Sequence, residues 1–382
     1  MKIGIDARLW SQSGVGRYTR NLVKNLLNVD KSNNYTLFIG SKDFNNLEFT
    51  INNLQNLISY GKLKIVKTDI PWHSIQEQLK FPSVISKEKL DLMHFPYFSV
   101  PVLYNKPYVI TIHDLIINHF PTGKASSLPL PFYLLKRIGY NFVLNNAIYN
   151  SKKIIVPSNA TQDELIKHFR ISDKKIQVIY EGIFDDFSSG SVPHKYRKLG
   201  DYFLYVGNAY PHKNLERLIK AYDMFISGIQ KNPPSLLLVG RQDYFYSILK
   251  NFINKFKNAK EYIIFKDEVD DAELKNLYKN ARALIIPSLM EGFGLTALEA
   301  MSEGCIVLSS NIPSIHEICK DSCIYFGEQN TLDIKSKLNL VYNSKANTLN
   351  ILKEKGFRRS RDFSWNKMSV ETLKIYESCS GL

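Results

Sequence analysis

The stretch Pro287-Ser-Leu-Met-Glu-Gly-Phe-Gly-Leu-Thr-Ala-Leu-Glu-Ala-Met-Ser-Glu-Gly304 restricts the fold more than any other part of the chain. The apolar run Ala283-Leu-Ile-Ile286 in front of it reads as a buried strand. Gly292 and Gly294 break that pattern, permit a tight turn and let backbone approach a ligand closely. From Leu295 to about Ser302 the spacing turns helical, with Leu295, Leu298 and Met301 on one face, and Gly304 stands where such a helix stops. A helix start offers unpaired amide N–H groups and the positive end of a dipole, which suits a phosphate. Glu291 and Glu299 bracket this anion site. A carboxylate near phosphates is unfavourable unless it binds something else, and sugar hydroxyls are its natural partners. The alternative makes Glu291 a helix cap and Glu299 part of a solvated face.

This stretch resembles the E-x7-E signature of retaining, nucleotide-sugar-dependent glycosyltransferases of family 4. The resemblance extends over nearly the whole chain. It implies the GT-B fold: an α/β protein of two Rossmann-like, doubly wound domains facing a central cleft. It further implies that Glu291 grips hexose hydroxyls, that Glu299 holds the ribose, and that Gly292, Phe293, Gly294 and Leu295 contact the donor.

A length of 382 residues predicts two domains with a core each. We expect an acceptor-binding domain over residues 1–187, a linker around Phe187 to Arg197, a nucleotide-sugar domain over 198–363, and a helix over 364–382 that crosses back to the first domain and serves the hinge. The chain is 44% hydrophobic and 23% charged, as a soluble globular protein is. It shows no apolar run long enough to span a bilayer and no signal-peptide pattern after Met1. Cys305, Cys319, Cys323 and Cys379 form no C-x-x-C pair, so neither a zinc site nor a disulfide framework is indicated and a cytoplasmic, reduced protein is expected. The net charge of +14 calls for a polyanionic neighbour. No nucleic-acid-binding signature is visible and the basic residues are scattered, which favours an anionic membrane surface and phosphorylated substrates over nucleic acid. A generally basic proteome is the plain alternative.

Met1–Asp6 reads as a first strand, Ser13-Gly-Val-Gly-Arg-Tyr18 as its glycine loop, and Leu22, Val23, Leu26 and Leu27 as one face of the following helix. In the family the matching loop approaches the donor's phosphate and sugar, which carries Gly14 and Gly16 over; Arg17 is either a further phosphate contact or a solvated helix start. Strands follow at Tyr35–Phe38, Leu63–Val66 and from Asp91. Pro71-Trp-His-Ser-Ile-Gln-Glu-Gln-Leu79 resembles a stretch that lines the acceptor side in the family, or Trp72 only pins the next helix. The buried strand Tyr108–Ile112 ends in His113-Asp114, where α/β sheets place chemistry. The family's histidine at this point lies beside the transferred hexose, and Asp114 orients His113 or the loop. Between Asp114 and Asp163 no carboxylate occurs, while Lys124, Lys136, Arg137, Lys152 and Lys153 do. The aromatic and leucine-rich Pro129–Tyr149 within it is either a membrane-surface helix or a helix packed on the sheet.

Ile154–Val156 is a strand, and Ile176–Ile183 resembles the family's strand and crossing into the second domain. A second doubly wound set starts at Tyr202–Val206, continues through Gly207-Asn-Ala-Tyr-Pro-His-Lys-Asn214 and enters a helix from Leu215. Lys213 is placed to neutralise a diphosphate leaving group. Family members carry an arginine where this chain has Asn208, so His212 or Arg241 is left to supply a second positive charge. Glu261–Phe265 and Glu268-Val-Asp270 match the strand and loop that frame the base, with backbone near Val269 as its contact. A helix over Leu274–Ala283, the central stretch, a strand at Ile306–Leu308, a loop and helix at Asn311–Glu317 and a helix from Ser364 to Tyr376 complete the reading.

A glycosidase needs two carboxylates flanking the scissile bond, whereas Glu291 and Glu299 lie on one side of the ligand. The resemblance implies a retaining hexosyl transfer, with mannose from GDP-mannose as the expected donor and a lipid-linked or oligosaccharide acceptor. The catalytic groups are His113, Glu291 and Lys213. No D-x-D triplet occurs, so no metal is expected. A GT-B sugar-nucleotide epimerase and a basic nucleic-acid or membrane-binding module are the alternatives; the second leaves the paired acids unexplained.

Overall fold

A computed structural model describes residues 1–12, 14–45, 47–51, 53–120, 130–183 and 201–379. The linker expected around Phe187 to Arg197, and Lys124, lie outside the described residues. The chain packs as two units. One takes in Met1 to Leu115, the chain from the helix Leu130–Asn150 to Gly182, and the chain from Ser364 on. The other takes in 116–120 and runs from Ile183 to Phe363.

The first unit holds a seven-stranded parallel sheet. Its strands are β1 (Lys2–Asp6), β2 (Asn34–Ile39), β3 (Leu63–Lys67), β4 (Leu92–Phe95), β5 (Tyr108–Thr111), β6 (Lys153–Val156) and β7 (Ile176–Val178), in the order β3-β2-β1-β4-β5-β6-β7. The second unit holds six parallel strands: β8 (Tyr202–Val206), β9 (Ser235–Val239), β10 (Ile263–Lys266), β11 (Ala283–Ile286), β12 (Val307–Ser310) and β13 (Cys323–Phe326), ordered β10-β9-β8-β11-β12-β13. Central strands such as Ala283-Leu-Ile-Ile286 and Tyr108-Val-Ile-Thr111 are buried throughout. That burial on both faces is why they read as unbroken apolar runs rather than alternating ones. In each sheet the strand order reverses beside the first strand, at β1/β4 and at β8/β11. The carboxyl ends of those pairs are where an open α/β sheet binds ligands.

Most elements differ from the sequence reading by a residue or two at an end, and three of these shifts have a visible cause. The helix expected over Leu274–Ala283 is Asp271–Asn280, because the Asp270 side chain caps it by accepting from Glu273 N, and Ala283 pairs with Phe203 in the sheet. The strand expected at Glu261–Phe265 is Ile263–Lys266, since Ala259–Glu261 form a 3-10 turn. The strand expected at Ile306–Leu308 is Val307–Ser310, set by its register with Cys323–Phe326.

Within the first unit the helix Trp365–Cys379 packs on the helix Gly14–Val29, with Ser369 Oγ 3.5 Å from the Leu22 carbonyl oxygen. A buried polar chain runs inward from it. Tyr376 Oη lies 2.6 Å from His94 Nδ1, His94 Nε2 2.9 Å from Thr111 Oγ1, and Thr111 Oγ1 3.0 Å from Tyr18 Oη. Burial pushes His94 down to about 3, so it sits in this chain uncharged.

Candidate active site

In the second unit the site grows from the loops after β8 and β11. Pro211–Lys213 form a 3-10 turn, closed by Asn214 in the left-handed region at φ 59°, and the helix Leu215–Ile226 follows. Leu289 N donates to the His212 carbonyl at 2.8 Å, and Asn214 Nδ2 donates to the Pro287 carbonyl at 2.9 Å. These bonds lock the two loops together and fix where Lys213 points. Its ammonium donates to Glu291 Oε1 at 2.7 Å, and Ser288 Oγ donates to the same oxygen at 2.6 Å. Ser314 Oγ holds the Glu291 backbone carbonyl at 2.7 Å. Burial raises the Glu291 carboxyl, but Lys213 and Ser288 outweigh it and hold the group below the ordinary glutamate value.

Glu291 is not a helix cap. The residue before the helix Leu295–Ser302 is Gly294, at φ +98°, and a Cβ there would fall 2.3 Å from Ile315 Cδ1. The positive φ is what favours glycine at that point, while the Ile315 methyl is a side-chain tip that can shift. Phe293 is buried with its ring 5.9 Å from Phe363, while Gly292 and Leu295 are half-buried at the loop edge. Glu299 is buried, not solvated, and Tyr278 Oη donates to its Oε2 at 3.1 Å. Val269 is half-buried between β10 and the helix Asp271–Asn280, and Arg241 is exposed just past β9. Of the two residues considered for a second positive charge, His212 is buried in a setting that disfavours its charged form. Burial, with Lys213 beside it, pushes it down to about 4.

In the first unit His113 follows β5. Its Nε2 lies 3.0 Å from the Pro96 carbonyl oxygen and its Nδ1 lies 3.4 Å from Glu181 Oε1. Tyr18 meets the ring edge-on at 4.8 Å. A carbonyl and a carboxylate both accept, so each ring nitrogen needs its own proton and the pairing favours the imidazolium. Burial pulls the His113 pKa down, yet Glu181 outweighs it and the net shift is upward. Both ring nitrogens are therefore engaged within the protein. Sequence reasoning missed Glu181. The only local sign is a carboxylate in Tyr180-Glu-Gly182 directly after a strand.

Gly16 is buried, and a Cβ on it would lie 2.4 Å from the Trp10 carbonyl oxygen; Gly14 is exposed with open space around it. Gly16 thus has a packing requirement that Gly14 lacks. Beside this loop lies a second feature that the sequence reading missed. Arg8 Nη2 reaches Asp6 Oδ2 at 2.7 Å and Glu77 Oε1 at 2.6 Å, with the guanidinium 3.7 Å above the Phe81 ring. Glu77 also accepts from Ser99 Oγ at 2.7 Å and His73 N at 2.9 Å. Asp6, Arg8, Trp72, Glu77, Pro96 and Tyr97 line a recess at the carboxyl ends of β1 and β4. Trp72 is partly exposed at its rim, 6.4 Å from the Tyr97 ring.

Two family models match the chain: Glycosyltransferase Family 4 over residues 12–187 and Glycosyl transferases group 1 over residues 193–359. O-antigen chain mannosyltransferase B of Escherichia coli is 26% identical over 96% of each chain. O-antigen chain mannosyltransferase RfbU of Salmonella typhimurium is 26% identical over 74% of this chain and 73% of its own. Among solved structures, sucrose-phosphate synthase from Thermosynechococcus elongatus superposes with a TM-score of 0.75 at 16% identity, covering 99% of this chain and 98% of that one. Anabaena HepE in complex with UDP and glucose gives a TM-score of 0.73 at 15% identity, covering 99% of this chain and all of that one. The two sheets with reversed strand order are the GT-B architecture, and with both halves matched, the chain belongs to the family 4, group 1 glycosyltransferases.

Proposed function

We propose that the enzyme is a retaining mannosyltransferase that takes the sugar from GDP-mannose and places it on a hydroxyl of a lipid-linked or polysaccharide acceptor. The observation that carries this reading is Glu291, fixed by Lys213 and Ser288 at the entrance to the helix Leu295–Ser302. A pinned carboxylate beside an ammonium and a helix start suits a ligand with sugar hydroxyls at one end and a diphosphate at the other. The names of the relatives, mannosyltransferases of O-antigen chains, support the sugar and the acceptor class. The solved HepE complex, which contains UDP and glucose, supports a nucleoside diphosphate sugar as donor.

In this mechanism the bond from the anomeric carbon to the phosphate oxygen breaks as the acceptor oxygen bonds to the same face of that carbon. The acceptor proton passes to the departing phosphate. Lys213 and the amides of Gly294 and Leu295 receive the growing negative charge. Glu291 accepts from hexose hydroxyls, Glu299 holds the ribose, and His113 packs beside the hexose. Gly14 and Gly16 give the donor a close backbone surface, and Val269 and Arg241 flank the base and diphosphate. Trp72 and Tyr97 offer ring faces to an acceptor sugar. No metal clamp takes part.

The enzyme works at the inner face of the membrane in this reading. The helix Leu130–Asn150 exposes Phe132, Leu134, Leu135, Ile138 and Phe142 beside Lys136. With a chain charge of +14, such a face fits an anionic lipid surface, at about 1 kcal/mol per basic residue close to it. Among the described residues no helix is long and apolar enough to cross a membrane.

The deciding measurement is a thermal-shift and transfer panel with GDP-mannose, UDP-sugars and ADP-sugars, run with and without EDTA. A ligand at 100 times its dissociation constant adds about 2.7 kcal/mol of stability, which such a panel resolves. Stabilisation and EDTA-insensitive transfer with GDP-mannose are expected. Stabilisation by a different nucleotide sugar alone overturns the donor, and no stabilisation by any overturns the reading. Sedimentation with vesicles containing an anionic lipid, but not with neutral ones, is expected; equal recovery in both removes the membrane component.

A further inference from the structure

The ends of β8, β9 and β10 converge in the second unit. Gly240, just after β9, lies so close to Gly207, just after β8, that a Cβ on it would fall 2.0 Å from the Gly207 carbonyl oxygen. Gln242 closes the remaining gap toward β10. Its Nε2 donates to the Gly240 carbonyl at 2.7 Å and to the Lys266 carbonyl, the last of β10, at 3.2 Å. Two carbonyls can only be met by the NH2 end of an amide, so the orientation of the side chain is determined by its partners. The other end, Oε1, is buried, and no donor among the described residues reaches it.

A buried carbonyl oxygen without a donor is costly, and native proteins leave few of them. Gln242 cannot relieve the cost by flipping, because a flip would set its oxygen against two other oxygens. Val269, the residue we place beside the base, lies three positions past Lys266 in the chain. We propose that Gln242 Oε1 accepts a hydrogen bond from an N–H on the pairing edge of the donor's nucleobase, making Gln242 a specificity-determining residue. This rests on the nucleotide-sugar reading above and deepens it. The bond ties base selection to an acceptor that the sheet itself holds in place through two strand ends. It also gives the position a requirement that packing alone does not explain. A methionine would fill the same volume, whereas only an amide both bridges the two carbonyls and still presents an oxygen.

The test compares the full-length protein with Gln242→Met, after both are shown to be folded by thermal melting. Dissociation constants are measured for GDP, UDP, ADP and base-free ribose 5-diphosphate. The nucleotide that binds the unmodified protein tightest is expected to lose about tenfold in the variant, the scale of one desolvated hydrogen bond, while ribose 5-diphosphate changes less than twofold. An equal loss for all four ligands makes Gln242 a purely structural bridge and overturns the inference, as does no loss for any. Should Gln242→Met not fold, the unmodified protein decides with nucleotides N-methylated on that edge (1-methylguanosine or 3-methyluridine diphosphate). Binding as tight as the parent nucleotide overturns the inference, and a loss of tenfold or more upholds it. Failure of every nucleotide to bind the unmodified protein sinks the donor reading itself, a result distinct from the others.

Discussion

Lys213 and Glu291, residues from the loops after two neighbouring strands, meet at 2.7 Å with side chains largely withdrawn from water. Neither charge is tolerable there alone. Replacing Lys213 by Met strands a buried carboxylate, so Lys213→Met is expected to lose stability toward the lower end of the roughly 3–5 kcal/mol seen when one partner of a buried pair is removed. Glu291→Gln still offers an amide oxygen to the Lys213 ammonium and to Ser288 Oγ, so it costs less than Lys213→Met. Both variants lower transfer by several orders of magnitude if the pair handles donor charge. Urea melts and donor-hydrolysis rates on the two variants separate stability from turnover.

The same pair sets an acid limit. The Glu291 carboxyl is held below its ordinary value of 4.5, so its contribution to stability is present above that value in the folded protein. It is lost as pH falls through the lowered folded value. Glu291→Gln has no such group to protonate. Between pH 6 and pH 3 the melting temperature of the unmodified protein is therefore expected to fall more steeply than that of Glu291→Gln, and parallel curves would refute it.

His113 and Glu181 carry the opposite sign. His113 is raised above its ordinary 6.5, so its contribution is fully present below 6.5 and lost as pH rises through the folded value. Asp114 adds to the rise and Tyr18 packs against the ring. With Glu181→Gln the charge partner is gone and the folded value drops. Melting temperatures taken from pH 6 to pH 9 are expected to decline for the unmodified protein and to stay flatter for Glu181→Gln. An NMR titration of the His113 ring checks the shift directly.

Much of this was legible in the chain, and the misses share a cause. Ala283–Ile286 and Tyr202–Val206 announce themselves because a strand buried on both faces has no polar positions to blur it. Glu291 is legible for a local reason, since strand, glycine turn and helix lie within one stretch. Glu181, Tyr278 and the Arg8–Glu77 pair are not. His113 and Glu181 are 68 positions apart, and Arg8 and Glu77 are 69. Their meeting depends on sheet order and register, which no local pattern carries. The burial of Glu299 is of the same kind, because a glutamate on a helix reads as solvated until Tyr278 from the neighbouring helix is found above it.

Gly182 shows how closely the end of the chain is fitted to the first unit. A Cβ on it would lie 2.1 Å from Trp365 N and 2.5 Å from the Ser364 carbonyl carbon, and both neighbours are backbone. Backbone yields less readily than a side chain tip, so Gly182→Ala is expected to cost more than the roughly 1–3 kcal/mol of ordinary overpacking. Gly14→Ala, in open space, is the control and is expected to be close to neutral. Chemical denaturation of both variants checks the contrast.

The final helix is tied in by one hydroxyl as well as by packing. Tyr376 Oη sits 2.6 Å from His94 Nδ1, and the His94 ring is fully buried with its other nitrogen on Thr111. Tyr376→Phe removes the hydroxyl and keeps the ring, leaving a buried ring nitrogen without its partner. The expected cost is about 1–3 kcal/mol, the desolvation penalty of one stranded polar atom. His94→Leu alone strands the Tyr376 hydroxyl instead, while Thr111 keeps its bond to Tyr18. The double variant Tyr376→Phe, His94→Leu removes both partners of the bond and is expected to cost less than the sum of the two single changes. A double-mutant cycle by denaturant melts measures that coupling, and strict additivity would show that the helix is held by packing without the bond.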